Sequence, residues 1–257
     1  MKIKSILCLS FLCVSTIFSS CSQDEDILNS NPLSKTDLPS RSEIQESKDL
    51  AMPSYELSLL SEEVKQKRAA SIILSDYIVL ENNQYKLEIS EKDAQKLGIK
   101  PYLYESIKND ILSTNEAIQE IMDNGDPIEL CDVQAISKAY KKGELNQSDS
   151  ADKYSRVAYP SGNITTSGQE DGTASFKTEY EHTKVLFRCR TNAAPTPIYR
   201  CTVKAWGGET KVGSKIGNVI TTTEITVPIA ASGSGIVAGL TFATSDSNGG
   251  YCFWQAQ

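Results

Sequence analysis

The sequence predicts an α+β protein: a mostly helical N-terminal domain with one small hairpin, followed by an antiparallel β-sandwich or barrel. Three observations predict it. Between Leu103 and Ile121 apolar residues recur every three or four positions, the period of one helix face. From Tyr154 onward the composition shifts to Thr, Ser, Gly, Val and aromatics, with 11 of the 19 aromatic residues and both tryptophans. In that half apolar residues alternate along short runs separated by Gly-rich turns, as antiparallel strands require.

The chain opens with Lys2 and Lys4 ahead of an apolar run from Ile6 to Val14, the pattern of a secretory signal peptide over residues 1–20. Phe18-Ser19-Ser20-Cys21 resembles the lipobox of bacterial lipoproteins. The acids Asp24, Glu25 and Asp26 resemble the export signal of surface lipoproteins in Bacteroides-like bacteria. The resemblance implies cleavage before Cys21, acylation of Cys21 by palmitate-like chains, and an outer-membrane lipid anchor. Its location is then the cell surface, with the periplasmic face as the alternative. Each buried methylene of such an anchor contributes about 0.8 kcal/mol. Residues 21–56, rich in Ser, Asp, Glu, Asn and Pro, read as a lipidated flexible tether.

Residues 57–143 read as the helical domain. Ser61 caps a helix opening with Glu62 and Glu63. Tyr85, Leu87 and Ile89 alternate after Asn82-Asn83, giving a small hairpin. Ser90 with Asp93 makes a capping box, and Gly98 ends that short helix. Pro101 starts the next helix, whose stripe is Leu103, Ile107, Ile111, Thr114, Ile118 and Ile121. Asn124-Gly125 stops it, and a last helix runs from about Val133 to Lys142. Residues 144–153 form a polar linker, in which Asp149-Ser150-Ala151 resembles the O-glycosylation site of the same bacteria and marks Ser150.

Residues 154–257 form the β-domain. Ala174, Phe176 and Tyr180 share one parity, as do Val185, Phe187 and Cys189, and Ile236, Ala238, Leu240 and Phe242. Sandwich and barrel both satisfy this pattern. If KVLFRCRTNAAPTPIYRCTVKAW turns as a hairpin near Pro195, Cys189 falls opposite Cys201, within disulfide range. Arg188, Arg190, Arg200, Lys204 and Trp206 then share the other face, a candidate site for an anionic glycan, lipid or protein. The pairing of Cys131 and Cys252 stays open.

Net charge is −7 and the pI about 5, which argues against nucleic acid as a partner. Residues 154–257 carry nine Lys/Arg against seven Asp/Glu, so the negative excess lies earlier. With no Cys-x-x-Cys and a single histidine, His182, no metal site and no cofactor is expected. His182 beside Glu179 and Glu181, and the pair Glu170-Asp171, are the only acid–base candidates, and neither sits in a catalytic signature. The sequence therefore points to a membrane-anchored, non-enzymatic glycan- or protein-binding module. The alternatives are a hydrolase of extracellular glycan or peptide with its site between the domains, and a structural or toxin-like assembly domain.

Overall fold

The computed structural model describes residues 46, 48–145, 159–167, 171–178, 182–230 and 235–257. Cys21, Ser150, Glu170, Glu179 and Glu181 lie outside them. The described residues belong to one compact unit. Its helical segment comprises α1 (Ser54–Leu57), α2 (Glu62–Leu74), the hairpin β1 (Ile78–Glu81) and β2 (Gln84–Leu87), α3 (Glu91–Lys96), α4 (Pro101–Asp123) and α5 (Val133–Lys141). No helix among the described residues is long and apolar enough to cross a membrane.

Local chemistry sets the helix ends. The Ser61 hydroxyl accepts from Val64 N, Ser90 from Asp93 N, and the Asp132 carboxylate from Ala135 N. Asn82 and Asn83 both take positive φ, the geometry of a tight hairpin turn. Leu103, Ile107, Ile111, Thr114 and Ile118 are the buried stripe of α4. The fold begins earlier than position 57, however. Leu50, Ala51 and Met52 are buried, and so is Glu56. The tether expected over residues 21–56 therefore ends earlier than the composition suggests, because an apolar trio is too short to show a period.

The remaining strands are β3 (Ser161–Thr166), β4 (Gly172–Thr178), β5 (Lys184–Thr191), β6 (Ile198–Ala205), β7 (Thr210–Ile216), β8 (Thr223–Pro228), β9 (Ile236–Thr244) and β10 (Gly250–Ala256). They form a sandwich of two antiparallel four-stranded sheets, ordered β3-β10-β5-β8 and β4-β9-β6-β7. Inward residues alternate as predicted: Phe176, Val185, Phe187, Val203, Ala238, Leu240 and Phe242 share one core. The sheets come close at their β7 and β8 edges, where a Cβ on Gly213 would lie 2.7 Å from Ile225 Cγ2.

The expected β5–β6 hairpin is not formed. β5 pairs with β10 and β8, whereas β6 pairs with β9 and β7, so residues 192–197 cross from one sheet to the other. Asp246 explains the crossing. Its buried carboxylate accepts from the Thr191 hydroxyl and from the backbone N–H of Ala193 (2.7 Å) and Ala194 (3.0 Å). That anchor draws the chain away from a two-strand return. Cys189 and Cys201 still meet, but across the sandwich rather than along a ladder. Their sulfurs are 3.7 Å apart and all four described cysteines are free thiols, so the expected disulfide is not present.

The helical segment packs on the second sheet. Ile198 and Ile216, on its outward side, join the core of the helices. Ala51 and Ile72 pack with Val219 and Ile220. At this junction Arg68 is 1% exposed and donates to five carbonyl oxygens: Leu50 (2.5 Å), Ala51 (2.9 Å), Thr191 (2.8 Å), Asn192 (3.1 Å) and Val219 (2.6 Å).

Candidate binding face

Because β5 and β6 lie in different sheets, the five predicted site residues separate. Arg188 and Arg190 sit on the outer side of the first sheet. Arg188 Nε binds Glu224 at 2.6 Å, its cross-strand neighbour on β8. Arg190 donates to Thr222 (2.7 Å) and to Glu56 in α1 (3.0 Å), which also accepts from the Tyr55 hydroxyl. These ion pairs make Arg190 part of the junction with the helical segment. A basic face shared by all five residues therefore does not exist.

Arg200, Lys204 and Trp206 remain together on the outer side of the second sheet. β6 alternates between the core residues Tyr199, Cys201, Val203 and Ala205 and the outward Arg200, Thr202 and Lys204. Trp206 follows at the end of β6, where its backbone N–H binds Val237 O at 2.8 Å and Gly207 turns the chain with φ +73°. Its side chain is 89% exposed. Such exposure costs about 2 kcal/mol relative to burying a large apolar side chain, so packing does not account for its position.

The neighbouring strands complete the face. Thr202 is paired with Thr241, which is paired with Thr173. Lys204 is paired with Gly239, where an added Cβ would meet nothing within 4 Å, and Gly239 with Ser175. Small side chains thus leave the sheet flat and low beside Trp206. Lys177, paired with Val237, adds a third cation to Arg200 and Lys204. None of the three has a carboxylate partner among the described residues, and no Asp or Glu projects outward from these four strands. Among the described residues, the helical segment packs on the Ile198–Ile216 end of this face, while Trp206 at the other end is exposed.

Thr173, Lys177 and Thr241 were not among the predicted site residues, although the parity opposite Ala174, Phe176, Ala238, Leu240 and Phe242 is a sequence signal that places them outward. What was missing was the pairing order that puts these strands beside β6.

Of the acid–base candidates, only His182 and Asp171 lie among the described residues. His182 is 3% exposed, with Nε2 3.2 Å from the Thr178 hydroxyl and Tyr159 and Phe176 edge-on to its ring. Burial pushes its imidazole below the ordinary value. A groove of about 450 Å³ does separate the α4–α5 loop from the β7 and β8 edges, and Asp126, Glu129 and Glu224 line it. Glu129 is bound to Lys215 (2.8 Å) and Glu224 to Arg188, which leaves no free carboxylate pair there. Three thiols, those of Cys189, Cys201 and Cys252, gather inside the sandwich. Burial raises the first two well above the usual thiol range. At Cys252 burial is opposed by hydrogen bonds from both neighbours, which hold its thiol below the usual range.

No protein-family model matches the chain, and neither does any curated protein. Among solved structures it is similar to TmCBM61 in complex with β-1,4-galactotriose, at 15% identity and a TM-score of 0.25, over 36% of this chain. The chain spans 64% of the length of that structure. It is also similar to PirA, at 14% identity and a TM-score of 0.24, over 41% of this chain and 99% of that one. Likeness of this size leaves the function to be read from the chain's own residues.

Proposed function

We propose that this protein is a non-catalytic binding module that takes a glycan on the open face of its second sheet, held at the outer membrane by acylated Cys21. The observation that supports the face is Trp206: an 89% exposed indole beside a flat, hydroxyl-rich surface. An indole presents an apolar plane on which a sugar ring can stack while sugar hydroxyls reach Thr and Ser. Arg200, Lys204 and Lys177, without opposing carboxylates, favour a glycan that carries carboxylate or sulfate groups.

A glycan array probed with the full chain tests this. Acidic glycans should bind, and more weakly at high salt, because exposed charges are screened within about 8 Å at physiological ionic strength. Trp206→Ala should lose about thirtyfold in affinity, the equivalent of a 2 kcal/mol hot spot. Absence of glycan binding, or equal binding by Trp206→Ala, would overturn the assignment. The anchor is tested apart: Cys21→Ala should move the protein to the soluble fraction, and a wild-type chain without acyl mass would end that part.

A further inference from the structure

Three of the four described cysteines converge from three strands. Cys189 on β5 and Cys252 on β10 are paired directly, and Cys201 on β6 faces them from the other sheet. All three are fully buried. The Cys189 sulfur is 3.7 Å from each of the others, and all three sulfurs lie within 4.8 Å of one another. Lys184 and Gln257 exchange both backbone hydrogen bonds. Counting along the antiparallel ladder from that pair, Cys189 and Cys252 occupy a non-hydrogen-bonded position, where side chains approach most closely.

We propose that Cys189, Cys201 and Cys252 form a buried three-sulfur site for a soft monovalent cation, copper(I). A metal–thiolate bond of about 2.3 Å places the sulfurs of a planar three-coordinate site about 4.0 Å apart. The 3.7 Å separations come within a few tenths of an ångström of that. Thiolates select soft ions such as copper(I) and zinc. Structural zinc takes four ligands, and no further His, Cys, Asp or Glu joins the trio among the described residues. Three-coordinate copper(I) needs neither a fourth side chain nor water, and three thiolates around one Cu(I) carry a net charge of −2, which burial in the apolar core opposes. Each binding sulfur exchanges its S–H bond for a bond to copper and releases a proton, and no electron is transferred. The closed site would load as the chain folds, tying β5 and β10 to β6 across the sandwich. Sequence spacing conceals the site because its ligands come from three separate strands.

The test uses the full chain, reduced and anaerobic, with Cys8→Ser, Cys13→Ser and Cys21→Ser throughout, so that only the domain cysteines report. The chain is refolded with copper(I) in competition with a chromogenic chelator. One ion should bind per chain, with an ultraviolet thiolate-to-copper band, an all-sulfur three-coordinate shell by X-ray absorption, and a raised Tm. Cys189→Ala, Cys201→Ala and Cys252→Ala should each weaken binding at least about tenfold, whereas Cys131→Ala should not. If an alanine variant fails to fold, the sulfur count around copper in the unsubstituted trio decides alone. Absence of binding overturns the proposal, as does binding that survives loss of all three thiols. Peptide mapping that finds two of the three joined as a disulfide in protein from its native membrane would also overturn it.

Discussion

Arg68→Met removes a side chain that joins three segments of backbone. Its guanidinium donates to five carbonyl oxygens, from Leu50 and Ala51 before α1, Thr191 and Asn192 at the sheet crossing, and Val219 after β7. Hydrogen bonds to a charged group contribute about 1.5 kcal/mol each at the low end, about 7 kcal/mol gross for five. Burial lowers the Arg68 pKa from 12.5 to about 10. At 1.36 kcal/mol per pKa unit, that is roughly 3 kcal/mol of desolvation cost that methionine recovers. The balance is a loss of about 4 kcal/mol, a large part of the 5–15 kcal/mol typical of a whole domain. In urea, with a slope of about 2 kcal/mol per molar, the midpoint should fall by about 2 M. Arg68→Lys should lose most of the same stability, because a compact ammonium cannot reach all five acceptors. A loss below about 1 kcal/mol for Arg68→Met would refute the view that this residue fastens the helical segment to the sandwich.

Three further outcomes follow from buried groups. His182 has a depressed folded-state pKa, so only the unfolded chain takes a proton as pH falls below 6.5; stability should hold above that pH and decline below it, and His182→Gln should flatten the decline in melts across pH 5–7, roughly the window set by linkage. The Lys67–Asp110 pair at 2.8 Å is largely buried. Lys67→Met should therefore cost about 3 kcal/mol in chemical denaturation, and the Lys67→Met/Asp110→Leu double variant should recover much of it. Gly213→Val should cost about 1–3 kcal/mol by overpacking against Ile225 and Val227; unchanged stability would mean the sheet edges can part freely.

The helical segment was legible in the sequence because its signals are local. Ser61, Ser90, Asn82-Asn83, Gly98 and Pro101 act within one turn of themselves, and the α4 stripe repeats often enough to be counted. The strands were legible for the same reason, since alternation assigns inward and outward faces without knowledge of partners. Pairing was not legible. Residues 192–197 look like a hairpin turn, and only a carboxylate 53 residues beyond Ala193, Asp246, carries the chain to the other sheet. That one difference divided the predicted basic face, leaving Arg200, Lys204 and Trp206 together while Arg188 and Arg190 became ion-paired. Arg68 lies in KQKRAAS and reads as surface charge, because its acceptors are distant backbone carbonyls with no side-chain signature.

Hydroxyl-radical footprinting of the full chain, with and without a glycan that it binds, tests the binding face most directly. The account predicts strong oxidation of Trp206 in the free protein, from its 89% exposure. It predicts protection of Trp206 and of the β4 and β9 outward residues on glycan addition, with Tyr251 and Phe253 on the first sheet unchanged. Protection confined to the first sheet, or a Trp206 oxidised equally with and without bound glycan, would contradict it.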